Sequence, residues 1–273
     1  MNLFYKIFKP KRITLPNGKT VLERRSRLPL ILFAVLIATA VAIRITGFDP
    51  VILAKRIDQF FVILRQMFPP QYNYTSKILS PLFDTIKMSL LGSAVGALLA
   101  IPAAVFSSNN ITKNRLIVYA NRLFLSIVRT LPTLVTALVA TYVFGLGTLA
   151  GTVAIAVFTF AYVGKQLYEQ IETVDMGAHE AMTALGSGKL SAFWTSISPQ
   201  VMPAYLSTCL FCLEGNVRYA AILGYVGAGG LGIILNEKIG WREYDSVGMI
   251  LILLFVTVAA IEMLSHVIRR KLT

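Results

Sequence analysis

Apolar residues run along this chain in long blocks, at 28–47, 81–106, 122–144, 148–166, 203–227 and 247–266, with polar residues crowded between them. Blocks of about twenty residues fit the ~30 Å hydrocarbon core of a bilayer at ~1.5 Å rise per residue. The pattern predicts an all-α membrane protein with six transmembrane helices. Apolar positions do not alternate in segments of ~10 residues, which excludes a transmembrane β-barrel. The connection 48–80 has a different period. Leu53, Ile57, Phe60, Phe61, Leu64, Met67 and Phe68 recur at helical spacing, while Lys55, Arg56, Asp58, Arg65 and Gln66 take the other face. That predicts an amphipathic helix lying in the outer interface and ended by Pro69-Pro70. In the tail, residues 1–27, the run Ile13-Thr14-Leu15-Pro16-Asn17-Gly18-Lys19-Thr20-Val21 carries the Asn-Gly signal of a tight hairpin, and a basic tail without regular structure fits the same residues.

Composition agrees with the block pattern: 56% of residues are hydrophobic and 14% charged. A net charge of +13 would point to nucleic acid if it formed one stripe, but the basic residues gather where apolar blocks end. Membrane lipid is therefore the expected partner, and nucleic acid is not. Lys6, Lys9, Lys11, Arg12, Lys19, Arg24, Arg25 and Arg27 against Glu23 place the N-terminus in the cytoplasm. Arg269, Arg270 and Lys271 place the C-terminus on the same side, and Lys113, Arg115 and Arg122 after the second span agree with that parity. Ala38-Thr39-Ala40 offers a signal-peptidase site, but cleavage would remove a span and break the parity. The stretch Glu180–Pro203, with a Gly-x-Gly break and two prolines, then lies in the cytoplasm between spans four and five.

Several motifs carry no chemistry. Gly227-Ala228-Gly229-Gly230-Leu231-Gly232 fits a dinucleotide fingerprint, which has meaning only between a strand and a helix; here it follows a span, where glycines let backbone bend or pack closely. Cys209 and Cys212 lack a second pair, and His179 and His266 lie far apart, so no metal, cofactor or catalytic residue is expected. Gly92-x-x-x-Gly96 and Gly147-x-x-x-Gly151 read as close-packing pairs within spans. Glu214 and Arg218, one turn apart in span five, make an i,i+4 ion pair feasible, which either locks the span or has a gate or pathway role.

Two motifs carry a resemblance. Glu180-Ala181, then Gly186, then Pro199 stand in the register of the Glu-Ala-Ala loop of ABC importer permeases, with Met182, Ser196 and Ser198 departing from the usual residues and Ile197 displaced by one. The second is Phe211-x-x-Glu214-x-Asn216-Val217-Arg218-x-Ala220-x-Ile222-Leu223-Gly224-x-Val226-Gly227-Ala228-Gly229-Gly230-x-Gly232, which is similar to the span-five signature of phosphonate-type permeases. Phe68-Pro69-Pro70, Val128-Arg129-Thr130-Leu131-Pro132, Gly145-Leu146-Gly147-x-Leu149-Ala150-Gly151 and Pro199-Gln200-Val201-Met202-Pro203 fit the same family, so the resemblance spans about residues 68–273.

The resemblance implies a type I ABC importer permease with its core at 81–273 and a cytoplasmic coupling loop at about 175–200. It implies import of a phosphonate or related phosphorus oxyanion across the bacterial inner membrane. The implied partners are a second copy of this chain, two cytoplasmic ATP-binding subunits, and a periplasmic or lipid-anchored binding protein. Glu180, Ala181, Gly186 and Pro199 would couple to the ATPase. Glu214, Asn216, Arg218, Arg129, Gly227, Gly229 and Gly230 would line or gate the pathway, with Arg129, Asn216 and Arg218 meeting the anion; snorkelling explains Arg129 equally well. An ABC permease for another solute such as an amino acid, or an ion-coupled secondary transporter, is the alternative. A short helix over Ala178–Leu185, ended by Gly186 in a left-handed cap, and a second amphipathic segment with Lys189, Phe193 and Trp194 are expected in the loop.

Overall fold

The computed structural model describes residues 11–14, 18–23 and 28–272. Lys6, Lys9, Arg24, Arg25, Arg27 and Asn17, used above for orientation and for the predicted turn, lie outside them. The chain divides into two units after Val62.

In the first unit, β1 (Lys11–Thr14) and β2 (Thr20–Glu23) pair antiparallel, with Ile13 opposite Val21 and Thr14 opposite Thr20, so the ribbon expectation holds over the paired residues. Helix α1 (Leu28–Thr46) buries no residue; a helix apolar all round without protein cover suits lipid. Helix α2 (Pro50–Gln66) runs across the division. Asp49 Oδ1 accepts from Val51 N at 2.8 Å and Pro50 takes the first helical position, so the predicted amphipathic helix starts where capping chemistry allows.

The second unit is built on α3 (Thr75–Ser107), which at ~1.5 Å per residue is about 50 Å long and exceeds the bilayer core. Next come α4 (Arg115–Thr130), α5 (Thr133–Phe144), α6 (Thr148–Thr173), α7 (Gly177–Ala184) and α8 (Lys189–Ala192). A π-turn, Phe193–Ile197, leads from α8 into α9 (Ser198–Leu223), which is followed by α10 (Leu231–Gly240) and α11 (Tyr244–Leu272). Helices α3 and α6 form the spine. A Cβ at Gly92 would overlap Ile155 and Thr152 O, and one at Gly96 would lie 2.5 Å from Ala156 O and 2.7 Å from Thr159 Cβ, so these glycines let two backbones touch. Gly151 does the same against Ala228 O and Met88, whereas Gly147 lies outside the helix, at its N-cap.

Gly96→Ala is expected to cost about 1–3 kcal/mol by overpacking. Gly240→Ala, where a Cβ meets nothing within 4 Å, should be neutral or stabilising by up to ~1 kcal/mol. Thermal unfolding of the purified chains in detergent measures both, and equal melting temperatures would contradict the close packing.

Two predicted spans are corrected. The block 122–144 is not one straight helix: α4 and α5 meet at 90°, and α4 begins at Arg115. Pro132 has no N–H to give, and it pushes Leu131 to an extended ψ of 122°, which ends α4. The block 203–227 begins earlier, and α8 through Val226 is bent by 55° from α10. Among the described residues, four helices are long and apolar enough to cross a membrane, and the predicted six is reached when each bent pair is one span.

Candidate functional site

The segment between α6 and α9 is tied to the ends of both helices. Gln200 fixes both: its Oε1 accepts from Asp175 N at 3.3 Å, and its Nε2 donates to Asp175 O at 3.1 Å and Ser196 O at 2.8 Å. Asp175 Oδ1 in turn accepts from Gly177 N at 2.9 Å, which satisfies one of the free N–H groups opening α7. Sequence reasoning gave Gln200 only as part of a family match and missed Asp175; an Asp two residues before a helix start was the available signal.

Helix α7 ends as predicted. Gly186 has φ +87°, Gly186 N donates to Thr183 O and Ser187 N to Met182 O, both at 3.1 Å, the pair of bonds that closes a helix on a left-handed residue. No residue of α7 is buried. Glu180 and Ala181 are exposed, Leu185 is 83% exposed, and only His179 and Met182 turn toward the body, with Ser196 Oγ 3.4 Å from His179 Nδ1. The helix therefore presents small residues, an acid in its first turn and an uncovered leucine on its outer side.

The second amphipathic segment is not separate. α8, the π-turn and α9 run on from Lys189, and the extra residue in the turn lets a helix pass Pro199, which lacks an N–H and would clash with the carbonyl four residues back. Ser196 and Ile197 are both buried there, while Pro199 itself is exposed.

The charged residues of span five correct the sequence reading. Glu214 and Arg218 do not pair with each other. Their shared face is turned to α11, where Arg269 Nη2 lies 2.8 Å from Glu214 Oε1 and Glu262 Oε2 lies 3.3 Å from Arg218 Nη2. The Glu214 side chain is only 7% exposed, against 55% for Arg218. Asn216 is buried and its amide donors are spent, though its Oδ1 has no partner among the described residues: Nδ2 donates to Ser93 Oγ at 2.7 Å and Thr159 Oγ1 at 2.8 Å, clasping α9 to α3 and α6. In this arrangement it does not face an anion.

Gly227, Gly229 and Gly230 have φ of +78°, +84° and +72°, and Gly227 O accepts from Gly147 N at 3.0 Å. The loop turns α10 back against α3, where Thr85 Oγ1 accepts from Leu231 N at 2.7 Å and so caps a buried helix start. Arg129 stands in the last turn of α4, exposed, near Arg122, Ser126, Lys165 and Tyr168.

The family model for the binding-protein-dependent transport system inner membrane component matches residues 92–273. The chain belongs to this family. It is a multi-pass inner-membrane permease of the ABC importer class, a transport component and not itself an enzyme. The phosphate-import permease protein PhnE of Mycolicibacterium smegmatis is 34% identical over 77% of this chain, which spans 40% of that relative's length. The phosphite transport system permease protein PtxC of Stutzerimonas stutzeri is 27% identical over 81% of each chain. A chain of the MetNI methionine ABC transporter, solved in an inward-facing form, superposes with a TM-score of 0.66 at 21% identity, covering 74% of this permease and 99% of that chain. That likeness shows the type I importer fold.

Proposed function

We propose that this permease carries a phosphonate, phosphite or phosphate ion inward, driven by ATP hydrolysis in a cytoplasmic subunit that α7 engages. The names of its relatives carry the substrate reading, since PhnE is named for phosphate import and PtxC for phosphite transport. The uncovered face of α7, with Glu180, Ala181 and Gly186, supports the coupling role. Among the described residues each chain has one such helix, so a pair of ATPases calls for two copies of the permease, with a binding protein delivering the ion from outside. Both termini lie in the cytoplasm on the charge pattern, and the α9–α10 glycines with Pro199 act as the bends about which span five tilts. In this reading Glu214, Asn216 and Arg218 brace span five against α3, α6 and α11, and Arg129 faces the ion.

Co-reconstitution with an ATP-binding subunit and a binding protein tests the reading. Uptake of radiolabelled methylphosphonate, phosphite or phosphate is expected to require ATP and both partners. Uptake by the permease alone under an ion gradient would overturn the ATP-driven reading, and a binding protein that holds only an amino acid would overturn the substrate.

A further inference from the structure

Between α4 and α6 lies a cavity of about 60 Å³, lined by Arg122, Leu125, Ser126, Arg129, Lys165 and Tyr168. Three cations and two hydroxyls line it, and no carboxylate does. Arg122, Ser126 and Arg129 share one face of α4, at spacings of four and three, and Lys165 and Tyr168 share one face of α6. Leu125 packs against Gly164 where the two helices touch, which fixes the distance between the faces.

The donors in this cavity divide into two groups. Arg122 is committed: Nε donates to Ser107 O at 2.8 Å, the guanidinium pairs with Glu172, and its Cζ sits 4.7 Å from the Tyr168 ring centre. Lys165 is paired with Glu169 at 3.0 Å, which offsets its charge but takes one of three N–H donors. Arg129, the Ser126 hydroxyl and the Tyr168 hydroxyl have no protein hydrogen-bond partner among the described residues. A lysine within a helix long and apolar enough to span a membrane is costly and is retained where it faces a polar path or a ligand. The helix pair thus holds a forked guanidinium, two hydroxyls and an ammonium around one space, with nothing among the described residues to accept from the first three.

We propose that this cavity binds a phosphoryl or phosphonyl group. Arg129 would hold two oxygens through its planar fork and supply the unopposed positive charge, Ser126 and Tyr168 would donate to the third, and Lys165 would offer the N–H donors that Glu169 leaves free. A planar carboxylate has only two oxygens and leaves one set of donors unused, whereas a tetrahedral oxyanion meets all of them. For a freely diffusing ion the site rests on the phosphorus-oxyanion reading above; the phosphate of an anionic lipid headgroup presents the same chemistry.

The test uses the full chain in phosphatidylcholine nanodiscs, with equilibrium dialysis of labelled inorganic phosphate and of methylphosphonate. A parallel native mass spectrum counts phosphatidylglycerol retained by the chain from phosphatidylglycerol-containing membranes. Arg129→Gln is expected to weaken binding in at least one arm about tenfold, and Ser126→Ala by less. Loss in the dialysis arm assigns the site to the free ion, and loss of phosphatidylglycerol alone assigns it to a headgroup. Unchanged binding in every arm, or no binding by the unaltered chain, overturns it. If Arg129→Gln fails to insert, Arg129→Lys, which keeps the charge and loses the fork, is compared with Ser126→Ala in the same arms. The assay needs no ATP and no partner, so its outcome is separable from that of the import experiment.

Discussion

Glu180→Lys is expected to leave the chain inserted and folded while lowering ATP-dependent uptake about a hundredfold, the scale of several kcal/mol set by a like-charge contact at an interface. Glu180 is exposed, no intramolecular ion pair involves it among the described residues, and α7 buries no residue, so nothing in the permease depends on this carboxylate for its fold. Two terms oppose the substitution. A lysine in the first turn meets the positive helix end, at a cost of about 0.3–1 kcal/mol, and an ATPase surface that accepts an acid there is confronted with a cation. Membrane levels of the variant should match those of the unaltered chain and its melting temperature should fall only slightly, and ATP hydrolysis should persist without transport. Normal uptake at normal membrane levels would show that α7 is only a connector.

Arg269→Ala is expected to destabilise the permease by about 3–5 kcal/mol, because it leaves a buried carboxylate without its cation. Glu214 is the acid concerned, 7% exposed and 2.8 Å from the Arg269 guanidinium at the far end of α11. Melting temperature in detergent and yield from membranes report the loss. The exchange Glu214→Arg with Arg269→Glu should recover most of it, since the pair is interhelical and both partners move together. The exchange Glu214→Arg with Arg218→Glu should not, because it sets a second guanidinium against that of Arg269 at the same contact; equal melting of the two exchanges would contradict the observed pairing.

The membrane class, the approximate span positions and the amphipathic α2 were legible in the chain because each depends on periodicity within one segment. The end of α7 at Gly186 was legible for the same reason: a left-handed cap is decided by one glycine and the two bonds beside it. Membership of the permease family was legible in the long motif around Glu214 and Gly227–Gly232. The 90° break between α4 and α5 had its cause in plain view at Leu131-Pro132, but apolar residues on both sides made the block read as one span.

The pairings were not legible. An i,i+4 rule names the nearest possible partner of Glu214, yet the residue that meets it lies 55 positions later on α11. Asn216 reads as a polar group in a span, and only the approach of Ser93 and Thr159 from α3 and α6 turns it into a clasp. The same holds for Arg129, an unremarkable cation near a helix end until Lys165 and Tyr168 stand across a shared cavity from it. Sequence by itself determined what each helix is and where it turns, since hydrophobic period, proline and glycine act within a few residues. Tertiary structure alone decided which faces meet, because a charge or amide is equally comfortable with any opposite group the packing brings within about 3 Å.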